Sequence, residues 1–461
     1  MTDILTPAKP LSVSPLKVSQ PVGASLAFLG LARTMPLEHG ARGCTSFNKL
    51  FFMRHFREPI ALQTTAMDQT TTVIGADGNV VEALRTVAER NQPDVVGLIS
   101  TGLSEMQGAD IPRTVKAFRA ACPQHAGMAV VPVNATDTLG CLETGFALAV
   151  EAIVDALVPE GRETGQRRRQ VNILAPSMLT PGDVEALKDW VEAFGLYPIV
   201  LPDIGDSLNG HLTADGYSTL TYGGTTRADI AQMGRSAATL VIGRSLGRAA
   251  DRLKARTGVP DHRFDGLMGI EACDAFTYTL SQLSGRPVPP RVERWRDQLR
   301  DAMVDCQFQL GAGRVAMAAD ADLLASLSVF LSGMGMETVA AVTTARAPVL
   351  DGLPLDSVVV GDLEDLETLA REDLALRGGA GILIANSHGA EPAARLGMPL
   401  VRAGFPLYDT HGGHARVWIG YRGSRNTLFD LANTFAAVYR EIAPYRSIYW
   451  QGTPRDHETP Q

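Results

Sequence analysis

The chain has 461 residues, its 42 basic and 50 acidic side chains give a net charge of −8, and 45% of its residues are hydrophobic. The negative charge disfavours a protein that neutralises nucleic-acid phosphates. The lack of an apolar run of about 18 residues disfavours a membrane span. Residues 1–20 contain three prolines but no apolar stretch typical of a signal peptide. At about 150 residues per domain, the length of the chain predicts three globular domains.

The first third of the chain predicts an α/β domain preceded by an arm. We interpret residues 1–24 as an N-terminal arm and residues 25–165 as the first α/β domain. Helices are predicted near residues 79–91 and 142–157. Short apolar runs predict strands at Leu26–Leu29, Asp94–Ile99 and Met128–Pro132.

The middle third repeats this pattern over residues 166–288. Thr180, a good N-cap residue, and Pro181, suited to a first turn, predict the start of a helix that ends near Gly195. Apolar runs predict strands at Val171–Ala175, Tyr197–Leu201 and Ala238–Ile242.

The last third shows the clearest alternation of strands and helices. We interpret residues 289–442 as a linking helix, over 289–310, followed by a third α/β domain, and residues 443–461 as a C-terminal tail. Strands buried on both faces are predicted at Arg314–Ala319, Glu337–Val342, Ser357–Val360, Gly381–Ala385 and Pro399–Arg402. The whole pattern predicts an α/β fold of three Rossmann-like, doubly wound parallel-sheet domains with flexible terminal arms.

Familiar catalytic motifs are missing from the sequence, which has no GxxxxGK[ST], GxSxG or HExxH. Rossmann-like architecture alone does not predict a dinucleotide. His411 and His414 flank two glycines and could face a site, but a solvent-exposed turn is the more common role of such a loop. We therefore expect no self-contained catalytic site, so that the chain is not an enzyme in its own right.

The five cysteines do not form a metal-binding motif. The closest two, Cys122 and Cys141, are 19 positions apart (141 minus 122), which excludes CxxC and zinc-ribbon spacings. So few cysteines in a long chain predict a reducing, cytoplasmic location. A metal site would need histidine or carboxylate ligands, or ligands from a second chain.

Cys44 differs from the other cysteines in its surroundings. It lies among small and polar residues, between Gly40 and Gly43 and a helix predicted at Phe47–Phe56. The glycines let the backbone approach a bulky inorganic group, and Thr45 and Ser46 are candidate caps of the helix. A thiolate near a helix N-terminus is stabilised by the helix dipole. An inert structural cysteine is the alternative.

The charge around Cys44 also favours an anionic ligand. Residues 33–58 contain five basic and two acidic side chains, a local charge of +3 in a chain of −8. Such a field suits a thiolate-ligated cluster or an acidic partner surface. A cubane iron–sulfur cluster needs about four protein ligands. If Cys44 is a ligand, the others must come from another polypeptide at a subunit interface.

Several segments resemble the nitrogenase component 1 family. Arg42–Ser46 and Arg54–Pro59 resemble the first cluster-ligand segment of nitrogenase molybdenum–iron protein β subunits. Other segments resemble more specifically the β-like subunits of the family's iron–molybdenum cofactor scaffolds. These segments are Pro59–Asp68, Leu179–Asp183, Ser284–Pro289 and Asn386–Ala390. The resemblance extends from about residue 25 to residue 437.

The sequence departs from the catalytic β subunits at two cluster cysteines. Their positions are taken here by Leu62 and Gly102, neither of which can bind iron. The resemblance therefore implies that an eight-iron cluster is absent and that a [4Fe–4S] cluster is held by Cys44 and three cysteines of a partner. Cys44 is thus the cofactor-binding and metal-binding residue that the resemblance assigns to this chain.

The resemblance implies the following assembly. A NifE-like subunit would pair with this chain in a heterotetramer, two of each, and would hold the iron–molybdenum cofactor precursor. The nitrogenase reductase component, a transient cofactor donor and apo-nitrogenase would be further partners. Two alternatives remain open at this point: a catalytic β-type subunit of a nitrogenase or nitrogenase-like tetrapyrrole reductase, and a metal-free binding module.

Overall fold

The computed structural model describes residues 2–9, 11–210, 218–377 and 381–438. The predicted tail at 443–461 lies outside these described residues. Within them, no helix combines the length and the apolar character needed to cross a membrane.

The first sheet contains four parallel strands in the order β3-β2-β4-β5. Its helices follow the strands along the chain, as expected where parallel strands need crossover connections. The elements up to the end of this part are β1 (Asp3–Leu5), α1 (Gln20–Leu29), β2 (Thr34–His39), α2 (Arg42–Phe56), β3 (Gln63–Thr64), α3 (Gln69–Ile74), α4 (Asp77–Arg90), β4 (Val95–Ser100), α5 (Gly102–Gln107), α6 (Ile111–Ala121), β5 (Ala129–Val133) and α7 (Leu142–Leu157).

The second sheet is also parallel, in the order β7-β6-β8-β9. The predicted cap is present: Thr180 Oγ1 accepts a hydrogen bond from Asp183 N, and Pro181 begins the helix. The elements are β6 (Arg167–Leu174), α8 (Pro181–Ala193), β7 (Tyr197–Leu201), α9 (Ile204–Ser207), α10 (Arg227–Gln232), β8 (Ser236–Ile242), α11 (Gly247–Thr257), β9 (Asp261–Phe264) and α12 (Ile270–Ser284).

The third sheet has six parallel strands in the order β1-β12-β11-β10-β13-β14. Three parallel sheets flanked by helices confirm the predicted α/β class. The elements are α13 (Pro290–Leu310), β10 (Arg314–Ala319), α14 (Ala321–Ser332), β11 (Glu337–Thr343), β12 (Ser357–Val360), α15 (Leu363–Arg377), β13 (Ile382–Ala385), α16 (Ala390–Leu396), β14 (Leu400–Arg402) and α17 (Gly420–Val438).

The strand predicted at Leu26–Leu29 is wrong, because these residues form the last turn of α1. All ten residues of α1 are buried, so the helix shows no polar face and no 3.6-residue periodicity. A short apolar run cannot distinguish a buried strand from a buried helix. The proline at position 21, in the first turn of α1, is the local signal for a helix start.

The prediction of a flexible N-terminal arm does not hold for its described residues. β1 adds to the edge of the third sheet, with Asp3 opposite Ser357 and Leu5 opposite Val359. Lys9 Nζ then lies 2.7 Å from Asp362 Oδ1 and 2.8 Å from an Asp365 carboxylate oxygen. Charge and hydrogen bonding to these acids raise the pKa of Lys9 against the opposing effect of burial. The start of the chain is therefore built into the third domain.

Helices α1 and α7 pack at unusually close range. A Cβ added to Gly23 would lie 1.8 Å from the carbonyl oxygen of Leu142, and one added to Gly145 would lie 2.0 Å from that of Gln20. Real side chains do not tolerate such distances, so each helix needs glycine where the other crosses it. This contact fixes the position of α7 against the first sheet.

The N-terminal turn of α7 carries a carboxylate into the junction of the three domains. Glu143 Oε2 accepts a 2.9 Å hydrogen bond from Asp322 N at the start of α14. The Asp322 carboxylate in turn accepts hydrogen bonds from the backbone of Arg244 and from Ser245. Burial raises the pKa of Glu143 well above its usual value, and the nearby charges of Asp322 and Asp320 raise it further.

Candidate metal-cluster site

The carboxyl ends of the first sheet's strands form the edge at which Cys44 lies. α2 begins directly after β2, and Cys44 is the third residue of this helix, with an exposed side chain. The loops after β3 and β4 border the same edge, since Met67 N donates to Gly40 O at 2.9 Å and Thr101 Oγ1 donates to His39 O at 2.8 Å. Ligands of parallel α/β sheets bind at this kind of edge.

The helix that carries Cys44 is five residues longer at its start than predicted: it begins at residue 42, not at Phe47. The prediction that Thr45 and Ser46 cap it is wrong. Ala41 is the N-cap and provides no side-chain hydrogen bond. Ser46 Oγ instead donates to the carbonyl of Arg42 at 2.9 Å. The thiol therefore belongs to the first helical turn, near backbone N–H groups that have no intrahelical partner.

Glu38 is a fully buried carboxylate that positions this first turn, and its role is not predicted from the sequence. Its Oε2 accepts a 2.7 Å hydrogen bond from Thr45 Oγ1, and its Oε1 accepts from Ser25 Oγ at 3.0 Å and Asn48 Nδ2 at 2.9 Å. Burial raises the pKa of Glu38, although the three hydrogen bonds oppose this shift. The signal that could have revealed Glu38 is an acidic residue directly after the apolar segment Met35–Leu37 of β2.

The two glycines before Cys44 serve different purposes. A Cβ on Gly40 would lie 2.8 Å from Thr101 Oγ1, so Gly40 lets the loop after β2 pack against the loop after β4. A Cβ on Gly43 would meet no atom within 4 Å. The space beside the Cys44 backbone is therefore open within this chain, as a bulky group ligated from outside would require.

The positions of the two missing cluster cysteines are occupied by well-packed residues. Leu62 is 3% exposed and belongs to the main hydrophobic core. Gly102 begins α5, and its N–H donates to Asp137 Oδ2 at 3.1 Å. A Cβ at this position would lie 2.9 Å from the same oxygen, so the Asp137 carboxylate occupies space that a side chain at residue 102 would need.

His39 is a buried histidine at the end of β2. Its Nδ1 lies 2.8 Å from Thr65 Oγ1, whereas its Nε2 has no hydrogen-bond partner among the described residues. Burial lowers the pKa of His39 to about 4. The ring is therefore neutral near pH 7 and adds no positive charge beside Cys44.

The described residues contain no group of three His, Cys, Asp or Glu side chains able to hold a metal ion. Cys44 is thus a single thiol on an open surface, and Arg42 is exposed beside it. One exposed thiol with free space in front fits one corner of a cluster whose other ligands belong to a second chain. It does not fit a site completed by this chain alone.

Exposed apolar side chains surround this edge of the first sheet. On α2 they are Phe47, Leu50 and Met53, which are 64%, 49% and 45% exposed. Others lie on elements that follow β3, β4 and β5: Val73, Ile74, Met106 and Leu139. Apolar surface of this extent marks a protein-binding face, so the surroundings of Cys44 resemble an interface.

The opposite face of α2 packs against the third domain, where His411 and His414 lie. His55 is fully buried and its Nδ1 accepts a 2.8 Å hydrogen bond from Leu407 N. Burial lowers the pKa of His55 to about 3 and also lowers that of His414. His414 contacts the ring of Phe56, whereas His411 is exposed. Neither His411 nor His414 forms a metal-binding group with other described residues.

The other four cysteines are buried. Cys122 Sγ accepts a hydrogen bond from Arg85 Nε at 3.4 Å. Burial raises the pKa of Cys141 to about 12 and also raises those of Cys273 and Cys306. Enclosed thiols are inert, which leaves Cys44 as the exposed cysteine thiol of the chain.

Three parallel sheets flanked by helices, with one exposed cysteine thiol at an apolar sheet edge, define the α/β architecture of this chain. Residues 19–436 match the family described as Nitrogenase component 1 type Oxidoreductase, and the chain belongs to this family. The solved structure "Nitrogenase Cp1 at pH 6.5" is similar to it with a TM-score of 0.87 and 29% identity, covering 95% of this chain and 96% of that one.

Several curated proteins of one name are similar to this chain over nearly its full length. The nitrogenase iron-molybdenum cofactor biosynthesis protein NifN of Klebsiella pneumoniae is 47% identical over 97% of this chain and 96% of that protein. The NifN proteins of Nostoc sp. and Rippkaea orientalis are 45% and 44% identical, over 94% and 95% of this chain and 96% of each relative. The resemblance to the cofactor scaffolds is thereby confirmed.

Proposed function

We propose that this chain is the β-like subunit of a scaffold on which the iron–molybdenum cofactor precursor of nitrogenase is matured before transfer to apo-nitrogenase. The observation that carries the proposal is full-length similarity to proteins named for iron–molybdenum cofactor biosynthesis. In this role the chain has no catalytic site of its own, and it acts in the cytoplasm. Its three domains keep the predicted bounds 25–165, 166–288 and 289–442, and β1 adds a strand to the sheet of the third.

The partner is a NifE-like subunit, two of each chain forming a heterotetramer. The support is the exposed apolar surface at the carboxyl edge of the first sheet, which includes Phe47 and Met106. This surface would be covered by the partner, which also holds the cofactor precursor. The reductase component would dock on the assembled complex, and the cofactor donor and apo-nitrogenase would bind transiently.

Cys44 contributes one ligand to a [4Fe–4S] cluster shared with three cysteines of that partner. The first turn of α2 supports this role, because its free N–H groups favour a thiolate. Gly43 leaves room beside the sulfur, and Glu38 fixes the turn through Thr45. When bound, such a cluster supplies one-electron redox chemistry. We assign it the delivery of electrons to the maturing precursor, because it lies between the two subunits in this proposal.

The test is anaerobic co-purification with the NifE-like partner, followed by iron counting and electron paramagnetic resonance. Cys44→Ala should yield a complex whose cluster signal is lost or altered. Ser46→Ala is the matched control, since it changes an exposed side chain in the same turn and removes no sulfur. Equal iron content and equal spectra for wild type and Cys44→Ala would overturn the ligand assignment, while the scaffold role would still stand on the similarity.

Electron delivery has a separate test, which is maturation of the cofactor on the Cys44→Ala scaffold. Maturation should fall strongly while the complex stays intact by gel filtration. Full maturation without the cluster would exclude electron delivery through it.

The alternative of a catalytic β-type subunit has less support. Leu62 is part of the core, and Asp137 fills the space beside Gly102, so an eight-iron cluster lacks two ligands of this chain. Proteins named NifN, by contrast, match nearly the full length. Disruption of the gene should therefore abolish cofactor maturation and leave the nitrogenase polypeptides present.

A further inference from the structure

Three arginines converge on one cleft of the second domain, far in sequence from Cys44. The cleft has a volume of about 310 Å³ and is bordered by the start of β6, the turn between α8 and β7, and the segment after α12. We call it the arginine cleft; its basic residues are Arg168, Arg169 and Arg286.

An irregularity in β6 places two consecutive arginines in the arginine cleft. Arg167 pairs with Ser236 and Val171 pairs with Ala238, so β6 uses four residue steps where β8 uses two. In a regular strand, neighbouring side chains point to opposite faces of the sheet. A bulge redirects them, and here both Arg168 and Arg169 line the same cleft. Two exposed, consecutive arginines therefore border the arginine cleft.

The third arginine is seated on a glycine. A Cβ on Gly195 would lie 2.2 Å from Arg286 Nη1, so the guanidinium rests directly on the Gly195 backbone, whose φ is +72°. The backbone of Arg286 is held as well, since Ser281 Oγ donates to its carbonyl at 2.6 Å and its N–H donates to Ser284 Oγ at 3.3 Å. The exposed Arg286 side chain therefore lies against the backbone of the turn between α8 and β7, on a segment whose own backbone is hydrogen-bonded.

No carboxylate of the described residues lies within ion-pair distance of these three guanidinium groups, whereas Arg244 in the same domain binds Asp265 through two 2.8 Å hydrogen bonds. The C-terminal ends of α8 and α12 border the cleft. Each helix end carries roughly half a negative charge, so together they offset about one of the three positive charges. About two positive charges are left uncompensated in a chain of net charge −8.

We propose that the arginine cleft binds a small oxyanion with two or more negative charges, of the phosphate or polycarboxylate class. Guanidinium groups recognise both kinds of anion through paired, charge-assisted hydrogen bonds. A volume near 310 Å³ suits a compact ligand of this class. The proposal is independent of the scaffold function and of Cys44.

Isothermal titration calorimetry of the full chain, purified with its partner subunit, tests the site with pyrophosphate and citrate as separate probes. We expect one or both to bind with a dissociation constant below about 1 mM at low salt and more weakly as salt is added. Tighter binding of pyrophosphate would indicate a phosphate ligand, and tighter binding of citrate a polycarboxylate. Absence of binding of both probes up to about 5 mM would overturn the proposal.

Arginine variants test whether the two anion probes bind in the arginine cleft. Arg286→Ala should weaken it roughly tenfold, and Arg168→Ala with Arg169→Ala roughly a hundredfold. Arg286→Lys, which keeps the charge and loses the paired geometry, should fall between wild type and Arg286→Ala. The matched control is Arg294→Ala with Arg300→Ala, which removes two exposed charges from α13. Equal affinities for the cleft variants and this control would show non-specific attraction and would exclude the site.

Discussion

Thr45 Oγ1 donates a 2.7 Å hydrogen bond to Glu38 Oε2, and this contact ties the helical turn of Cys44 to the interior of the first sheet. Both side chains are buried. Among the described residues, the carboxylate of Glu38 has no cationic partner, and three hydrogen bonds stabilise it in the core. The orientation of an exposed thiol therefore depends on a buried acid six residues earlier.

Replacement of Glu38 should test this dependence. Glu38→Ala removes the acceptor of two buried donors, on Ser25 and Thr45, and of the partly buried Asn48 amide, and it should reduce the free energy of unfolding by about 2–4 kcal/mol. Glu38→Gln keeps the volume of the side chain and one acceptor oxygen, so it should reduce the free energy of unfolding by less. Urea denaturation measures both effects. Iron content of the complex with the partner should fall more for the alanine variant; unchanged iron and stability in Glu38→Ala would show that the contact has no positioning role.

The carboxylate at the junction of the three domains should make stability depend on pH. Because the pKa of Glu143 is raised, the folded chain keeps a proton that the unfolded chain releases above about pH 4.3. The folded state then binds more protons, so stability falls as pH rises through this range. Glu143→Gln removes the titration and can still accept the hydrogen bond from Asp322 N. It should be more stable than wild type at pH 8 by roughly 1–3 kcal/mol.

Chemical denaturation at pH 8 and near pH 5 checks this expectation. The advantage of Glu143→Gln should shrink near pH 5. At a pH close to the usual pKa of glutamate, the unfolded wild-type chain gains little free energy by releasing this proton. A variant that is less stable than wild type at pH 8 would mean that Glu143 is ionised and held by favourable interactions.

The crossing of α1 and α7 should be intolerant of any side chain. Gly145→Ala places a methyl group 2.0 Å from the Gln20 carbonyl, and separation of the helices should cost more than about 3 kcal/mol. Gly43→Ala is the matched control, because nothing lies within 4 Å of the added atom. Alanine is the better helix former, so the control should gain up to about 1 kcal/mol. Thermal unfolding of the two variants compares them directly, and similar melting temperatures would contradict the close packing.

The N-terminal segment should stabilise the third domain specifically. Lys9→Ala removes contacts to Asp362 and Asp365, a loss of about 1 kcal/mol for a partly exposed ion pair. Removal of residues 1–9 also removes β1 and should expose the backbone of β12. Amide hydrogen exchange should accelerate at Ser357–Val360 and stay unchanged at Val95–Ser100 in the first sheet. Equal protection with and without residues 1–9 would rule out a stabilising role of β1.

The sequence predicts the fold well where each strand is a short apolar run between turn residues. The predicted bounds of β10, β12 and β14 agree with the structure within one or two residues for this reason. It fails at Leu26–Leu29, since a helix buried on every side shows no periodicity. It also misses β2, whose residues include Pro36 and Glu38 among apolar neighbours, and so misses the strand that precedes Cys44.

The sequence predicted the thiol of the candidate site but not the buried side chain that positions it. Cys44 was identified from the small and polar residues around it. The role of Glu38 depends on contacts with Ser25 and Asn48, which lie thirteen residues before it and ten after it. Such contacts arise from the packing of α1 and α2 on β2, and a local sequence pattern carries no information about that packing.

The pairing of β1 with β12 has a consequence for synthesis of the chain. Residues 3–5 leave the ribosome well before the strand with which they pair, which lies 354 positions later, from Asp3 to Ser357. Until β12 has been made, its edge does not exist, and β1 has no place in the sheet. The third sheet can therefore be completed only after Ser357–Val360 have been synthesised. A chain truncated before residue 357 would carry a free strand able to pair with other exposed edges.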